Sequence, residues 1–147
     1  MAALSGIYEF SLGGLSTEMT MLALAMILGF VHLIAQSQTM TAERGRAWNT
    51  GPRDSAEPFK GKIAGRLDRA FANFRETFPF FAASVLALAV LGRHNWYTVW
   101  GAEMYLVARL IYLPLYAIGV PGLRTLVWAV GSLGIAFLIA AMLGAGG

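Results

Sequence analysis

Arg66-Leu67-Asp68-Arg69-Ala70-Phe71-Ala72-Asn73-Phe74-Arg75-Glu76-Thr77-Phe78-Pro79-Phe80 is the stretch on which the reading of this chain turns. Five ionisable side chains and an asparagine run without a break into residues 77–92, which carry no charge. The apolar part is 16 residues long and reaches spanning length only if the polar stripe belongs to the same helix. A bilayer core needs about 20 residues of helix. Charged groups at the end of a membrane helix are costly, so their presence there points to a task.

Outward from this stretch, the chain reads as membrane throughout. It is 57% hydrophobic and 13% charged, against about 25% charged in soluble domains. Residues 19–42 and 125–147 hold no charge, and residues 96–118 hold only Glu103 and Arg109. This predicts an all-α, four-helix transmembrane bundle forming one domain over 1–147, with helices at about 16–39, 61–92, 96–118 and 123–143. A buried core of a soluble helical protein is the weaker explanation of the same pattern. Ser16 or Thr17 is the expected cap of the first helix. Pro79 is expected to kink the second and free a carbonyl. Pro121 helps end the third helix before the fourth begins. Trp96, Tyr97 and Trp100 form an aromatic belt. His32 is expected to face the bundle and hydrogen-bond there. Asp68 and Arg75 are expected to face water or headgroups, and Trp48 to anchor at headgroup level.

Eight of the 11 basic residues fall between Arg44 and Arg75. The positive-inside rule puts the loop at 40–60 in the cytoplasm and both termini on the opposite side. No Lys or Arg precedes Arg44, so the first apolar run is expected to stay as a membrane helix rather than act as a secretory signal. The basic loop lacks the aromatic interleaving of a nucleic-acid surface, so no nucleic acid is expected; anionic lipid headgroups explain it. The chain has no cysteine, and His32 and His94 lie far apart in sequence, so no metal site is expected.

Two polar ridges carry the chemistry. Arg66, Arg69, Asn73 and Glu76 are spaced 3, 4, 3 and share one helix face. Tyr105, Arg109, Tyr112 and Tyr116 are spaced 4, 3, 4 and do the same. The loops place the inner ends of both ridges on one side, where Arg124 opens the fourth helix. A network of internal salt bridges centred on Glu76 would account for these groups structurally. The alternative is an anion site, because Arg66, Arg69, Arg109 and Arg124 face one carboxylate, Glu76. Arginine binds carboxylate in a bidentate fashion, and Glu76 suits an ammonium. A ligand with two carboxylates and one ammonium matches that pattern.

Arg69-Ala70-x-x-Asn73-x-x-Glu76-x-x-Pro79 with Phe80-Phe81, then Ala108-Arg109-Leu110-Ile111-Tyr112-x-x-x-Tyr116 and Arg124, resemble the MAPEG family, the membrane-associated proteins in eicosanoid and glutathione metabolism. The likeness covers most of the chain from about Arg44, and Gly51-Pro52-Arg53-Asp54 is similar to bacterial members. The resemblance implies a homotrimer of four-helix protomers in a bacterial inner membrane. It implies glutathione as bound co-substrate between subunits at the cytoplasmic end. Arg69, Asn73, Glu76, Arg109, Tyr112 and Tyr116 would bind it, and Arg124 would face the sulfur as the catalytic residue. The function implied is a glutathione-dependent transferase or peroxidase acting on a hydrophobic small molecule by stabilising the thiolate. A non-catalytic lipid-binding or accessory protein of the same fold is the alternative, and a small channel or transporter a third.

Overall fold

In the computed structural model of the chain, residues 12–54 and 58–146 are described. Five helices account for most of them: α1 (Thr17–Arg44), α2 (Arg46–Thr50), α3 (Lys62–Leu91), α4 (Trp96–Ile118) and α5 (Pro121–Met142). No strand occurs among the described residues. The four long helices are each long and apolar enough to cross a membrane. At about 1.5 Å rise per residue, α1 and α3 run for roughly 42 and 45 Å, well beyond a bilayer core of about 30 Å. Much of the surface of the long helices is apolar and faces outward, including Phe30, Ile34, Phe80, Val90 and Leu126. Lipid accepts such a surface; backbone groups are satisfied inside each helix, as a membrane requires.

The order is up-down-up-down, and side chains tie each end. At one end, the Glu43 carboxylate that closes α1 accepts from the backbone N–H of Lys60 and Gly61 at the start of α3. Arg66 of α3 reaches the last turn of α4. At the other end, Glu18 in the first turn of α1 meets the start of α4, and Arg93 donates to the carbonyls of Ala141 (2.8 Å) and Met142 (2.7 Å) at the end of α5. α3 and α4 each pack on all the other long helices, whereas α1 and α5 do not meet. The core therefore lies along the α3–α4 contact. Phe81 and Tyr105 stack there with ring centroids 4.0 Å apart, and neither ring is exposed.

The helix limits follow local chemistry. Ser16 caps α1 by accepting from Met19 N–H at 3.3 Å. Asn95 and Thr98 form a reciprocal capping box at the start of α4. Pro121 stands in the first turn of α5, where its missing N–H costs nothing. α1 continues to Arg44, past the end expected near residue 39, because Ser37, Gln38, Thr39 and Thr41 are polar without breaking a helix; Thr39 and Thr41 turn their hydroxyls back to carbonyls of the preceding turn. α3 stays helical through Pro79, and α4 through Pro114. The connection after α1 folds over its end: the Arg44 guanidinium lies 4.3 Å from the Trp48 ring and 4.6 Å from the Phe59 ring.

Two side chains differ from the sequence expectation. His32 is buried but does not hydrogen-bond among the described residues; its ring stacks on Phe74 at 4.9 Å, so packing rather than polarity holds it. Asp68 accepts from Gln36 Nε2 at 3.0 Å and stitches α3 to α1 instead of facing outward. Arg75 is exposed, as expected, and its guanidinium lies 4.9 Å from the Phe71 ring.

The buried Glu18 carboxylate accepts from the Thr98 hydroxyl and pairs with His94 Nδ1 at 2.8 Å. Glu18→Ala is expected to destabilise the fold by about 2 kcal/mol, the scale for hydrogen bonds to a charged group. Thermal unfolding in detergent checks this. An unchanged midpoint would mean the clasp carries no stability.

Candidate functional site

The site lies where the first half of α3, the end of α4 and the start of α5 converge. α3 brings Asn73 and α4 brings Tyr112 and Tyr116, one turn apart on a face. The short turn after α4 returns the chain so that Arg124, Thr125 and Trp128 of α5 face them. These six residues line a cavity of about 220 Å³. Tyr112 and Tyr116 are largely buried, with ring centroids 5.3 Å apart. The Arg124 guanidinium sits 4.5 Å above the Tyr116 ring.

Behind the cavity stands Arg109, only 1% exposed. Its Nη1 donates to Asn73 Oδ1 at 2.8 Å. The guanidinium lies 5.3 Å from the ring centroids of both Tyr105 and Tyr112. Gly131 of α5 lies beside it: a Cβ there would touch Nε at 3.9 Å and Nη2 at 4.0 Å and would press on Ala108 Cβ at 3.3 Å. Asn73 in turn donates through Nδ2 to Glu76 Oε2 at 3.4 Å, a long bond. Arg109 thus fixes which way the Asn73 amide points, and Asn73 links the buried cation to the exposed carboxylate.

No salt bridge joins Glu76 to an arginine within 4 Å among the described residues, and Arg69, Arg109 and Arg124 have no carboxylate partner there. The internal ion-pair network that would have explained the ridges is not formed among the described residues. A buried guanidinium without a carboxylate leaves positive potential at the cavity wall, and in a low dielectric that potential is weakly screened.

The two sequence ridges are only partly reunited. Asn73, Tyr112, Tyr116 and Arg124 share the cavity; Arg109 backs it and Glu76 borders Asn73. Arg69 does not join them. It is exposed and lines a separate hollow of about 390 Å³ with Pro58, Phe59, Lys60, Gly61, Lys62 and Gly65. Arg66 is spent elsewhere, donating through Nη1 to Ala117 O at 3.1 Å. Tyr105 lies deeper in the core, its hydroxyl 3.3 Å from Thr77 Oγ1. Glu103 is half-buried in α4 and has no hydrogen-bond or ion-pair partner among the described residues. Among the described residues, no cluster of His, Asp or Glu has the makings of a metal site. Thr125 and Trp128 were missed from sequence. Their signal was present: they fall one residue and one turn after Arg124, and Trp128 is an isolated ring in the first half of an aliphatic helix.

No curated protein matches the chain. One family model does, that of the MAPEG family, and it covers residues 21–144, from the first turns of α1 past the end of α5. A match of that extent takes in all of α1 but its first four residues, the other four helices and every residue of the cavity. The chain is a member of the MAPEG family.

Proposed function

We propose that this protein is a glutathione-dependent membrane transferase or peroxidase acting on apolar electrophiles or lipid peroxides. The observation that carries the reading is the buried, carboxylate-free Arg109 that orients Asn73 at the wall of a cavity opened by Arg124. Glutathione brings two carboxylates, one ammonium and a thiol. Arg109 behind the cavity wall and Arg69 in its neighbouring hollow supply positive charge for the carboxylates, Glu76 supplies negative charge for the ammonium, and Asn73, Tyr112 and Tyr116 supply the hydrogen-bonding surface. A cavity of about 220 Å³ holds part of a tripeptide, so the remainder extends toward the Arg69 hollow and toward a second copy of the chain. The exposed Glu76, Phe80 and Val90 on one side of α3 suit cover by other protomers of a homotrimer.

The chemistry belongs to the sulfur. A free thiol titrates near 8.5. Arg124 lies in the first turn of α5, where its charge and the helix N-terminus both favour the thiolate, the nucleophilic form. The thiolate attacks an electrophilic carbon and the leaving group departs with the bonding pair. With a hydroperoxide, two glutathione molecules give a disulfide, an alcohol and water. Tyr112 and Tyr116 are placed to donate to the charged sulfur or the leaving oxygen. The protein's contribution is to hold both reactants together and to stabilise the anion. The basic connection at 40–60 supports a cytoplasmic position for this end with the termini opposite, and the membrane of this proposal is a bacterial inner membrane.

Calorimetry of the detergent-solubilised protein at millimolar reduced glutathione tests the reading. Binding is expected, and Asn73→Leu is expected to weaken it about tenfold, the order of one lost charge-assisted hydrogen bond. An intact assembly that takes up no glutathione would leave the non-catalytic lipid-binding or accessory role in its place.

A further inference from the structure

The corner between α4 and α5 carries Tyr112 and Tyr116 of the cavity on one arm and Arg124, Thr125 and Trp128 on the other, and it is made of a residue type that resists bending poorly. Gly119 closes α4 with φ +82°, the left-handed conformation that glycine adopts at no steric cost. Its N–H and that of Val120 both return to Leu115 O, at 3.0 and 3.2 Å. The last-turn carbonyl of Ala117 has no helical donor, as expected at a helix end. Arg66, reaching over from α3, donates to it at 3.1 Å. The guanidinium lies so close over Gly119 that a methyl group there would collide with it. Three features thus meet at one point: a cation, an otherwise unpaired carbonyl and a bare glycine.

We infer that Arg66 is a positioning residue for the chemistry proposed above: it braces the α4–α5 corner so that Arg124 is held over Tyr116 and faces the cavity. The inference rests on the glutathione reading. Arg124 begins four residues after Val120, inside the first turn of a rigid helix, so any swing of the corner is passed to its guanidinium directly. Tyr116 lies three residues before Gly119 on the other arm. Without the brace α4 and α5 stay packed through Gly101 and Gly134, but the corner keeps only the backbone bonds of Gly119 and Val120 to Leu115 O, and the stack at 4.5 Å is free to loosen. Arg66 itself does not line the cavity, so it acts through Arg124 and touches no reactant.

The test follows the ultraviolet absorbance of the glutathione thiolate with pH in the complex with wild type, Arg66→Gln and Arg66→Lys, alongside glutathione affinity and thermal unfolding. Arg66→Gln is expected to raise the apparent thiol pKa by about one unit, cutting the thiolate fraction about tenfold below it. Affinity should change less than about threefold, since most ligand contacts remain. Arg66→Lys keeps a donor for Ala117 O and is expected to recover a substantial part of the shift. A merely structural Arg66 would lower stability and affinity and leave the thiol titration alone; that result overturns the inference, as does a lysine variant no better than glutamine. If Arg66→Gln does not fold, Gly119→Ala displaces the same guanidinium with Arg66 retained. It should shift the titration in the same direction, and an unshifted curve overturns the brace. Wild-type protein that forms no thiolate overturns the glutathione reading and this inference together, whereas wild-type thiolate with an unaltered Arg66→Gln curve overturns the role of Arg66 alone.

Discussion

Arg124→Ala is expected to lower the turnover of glutathione with an aryl halide by about a hundredfold or more, the usual effect of deleting one preorganised donor at a developing anion. That corresponds to about 2.7 kcal/mol of transition-state stabilisation. The fold should survive. Arg124 is half-buried at the cavity rim, makes no ion pair among the described residues and gives up only its stack on Tyr116. No buried partner is orphaned, so stability should move by less than about 1 kcal/mol. Arg124→Lys keeps a charge but loses the flat face that lies on the ring, and should recover only part of the rate. Initial rates at saturating glutathione, with unfolding curves for each variant, decide it. Wild-type turnover in Arg124→Ala would remove Arg124 from the chemistry and reassign the thiolate to the tyrosines.

The largest effect on stability is expected from Gly134→Val. α4 and α5 approach through a pair of glycines. A Cβ on Gly134 would stand 2.6 Å from Gly101 O and 3.0 Å from Tyr105 N, and one on Gly101 would stand 2.8 Å from Gly134 O. These obstacles are backbone atoms, which cannot step aside without parting the helices. In lipid, such close contact between small residues is a main source of helix association, because burial of apolar surface contributes little there. Overpacking at such a point costs about 3 kcal/mol or more. The displacement also reaches Leu138, which packs against Gly101. Gly122→Ala is the matching control: it meets nothing within 4 Å and lies in a helix, so it should be neutral or slightly stabilising. Thermal unfolding in detergent separates the two, and a Gly134→Val protein as stable as the control would show that the helices do not depend on this approach.

The difference between these two sites explains what was readable beforehand. Four spans were visible because a bilayer imposes length and apolarity on any helix that crosses it, whatever its neighbours. The shared face of Asn73 and Glu76, and that of Arg109, Tyr112 and Tyr116, followed from helical spacing, since a short side chain stays near the face its Cα defines. The arginines did not obey the same logic. Arg66 and Arg69 stand on one ridge, yet one reaches a carbonyl of α4 and the other a hollow beside residues 58–62. Their side chains span more than a helix radius, so the destination depends on what lies within reach. Asp68 and His32 diverged for a related reason: each found a partner on another helix that no spacing within its own helix reveals. The Gly101–Gly134 approach could not be read from spacing, because it depends on which helices lie side by side.

By itself, the amino-acid order determined the all-helical membrane character, the places where the chain turns and the list of side chains able to bind an anion, because these depend on local pattern and on the solvent. The tertiary structure alone decided that Arg109 is buried with an amide rather than a carboxylate, that Arg66 is occupied by the α4–α5 corner, and that Thr125 and Trp128 complete the cavity. Those outcomes rest on which helices lie side by side, and in lipid that choice is made by close packing and by the satisfaction of polar groups across helices.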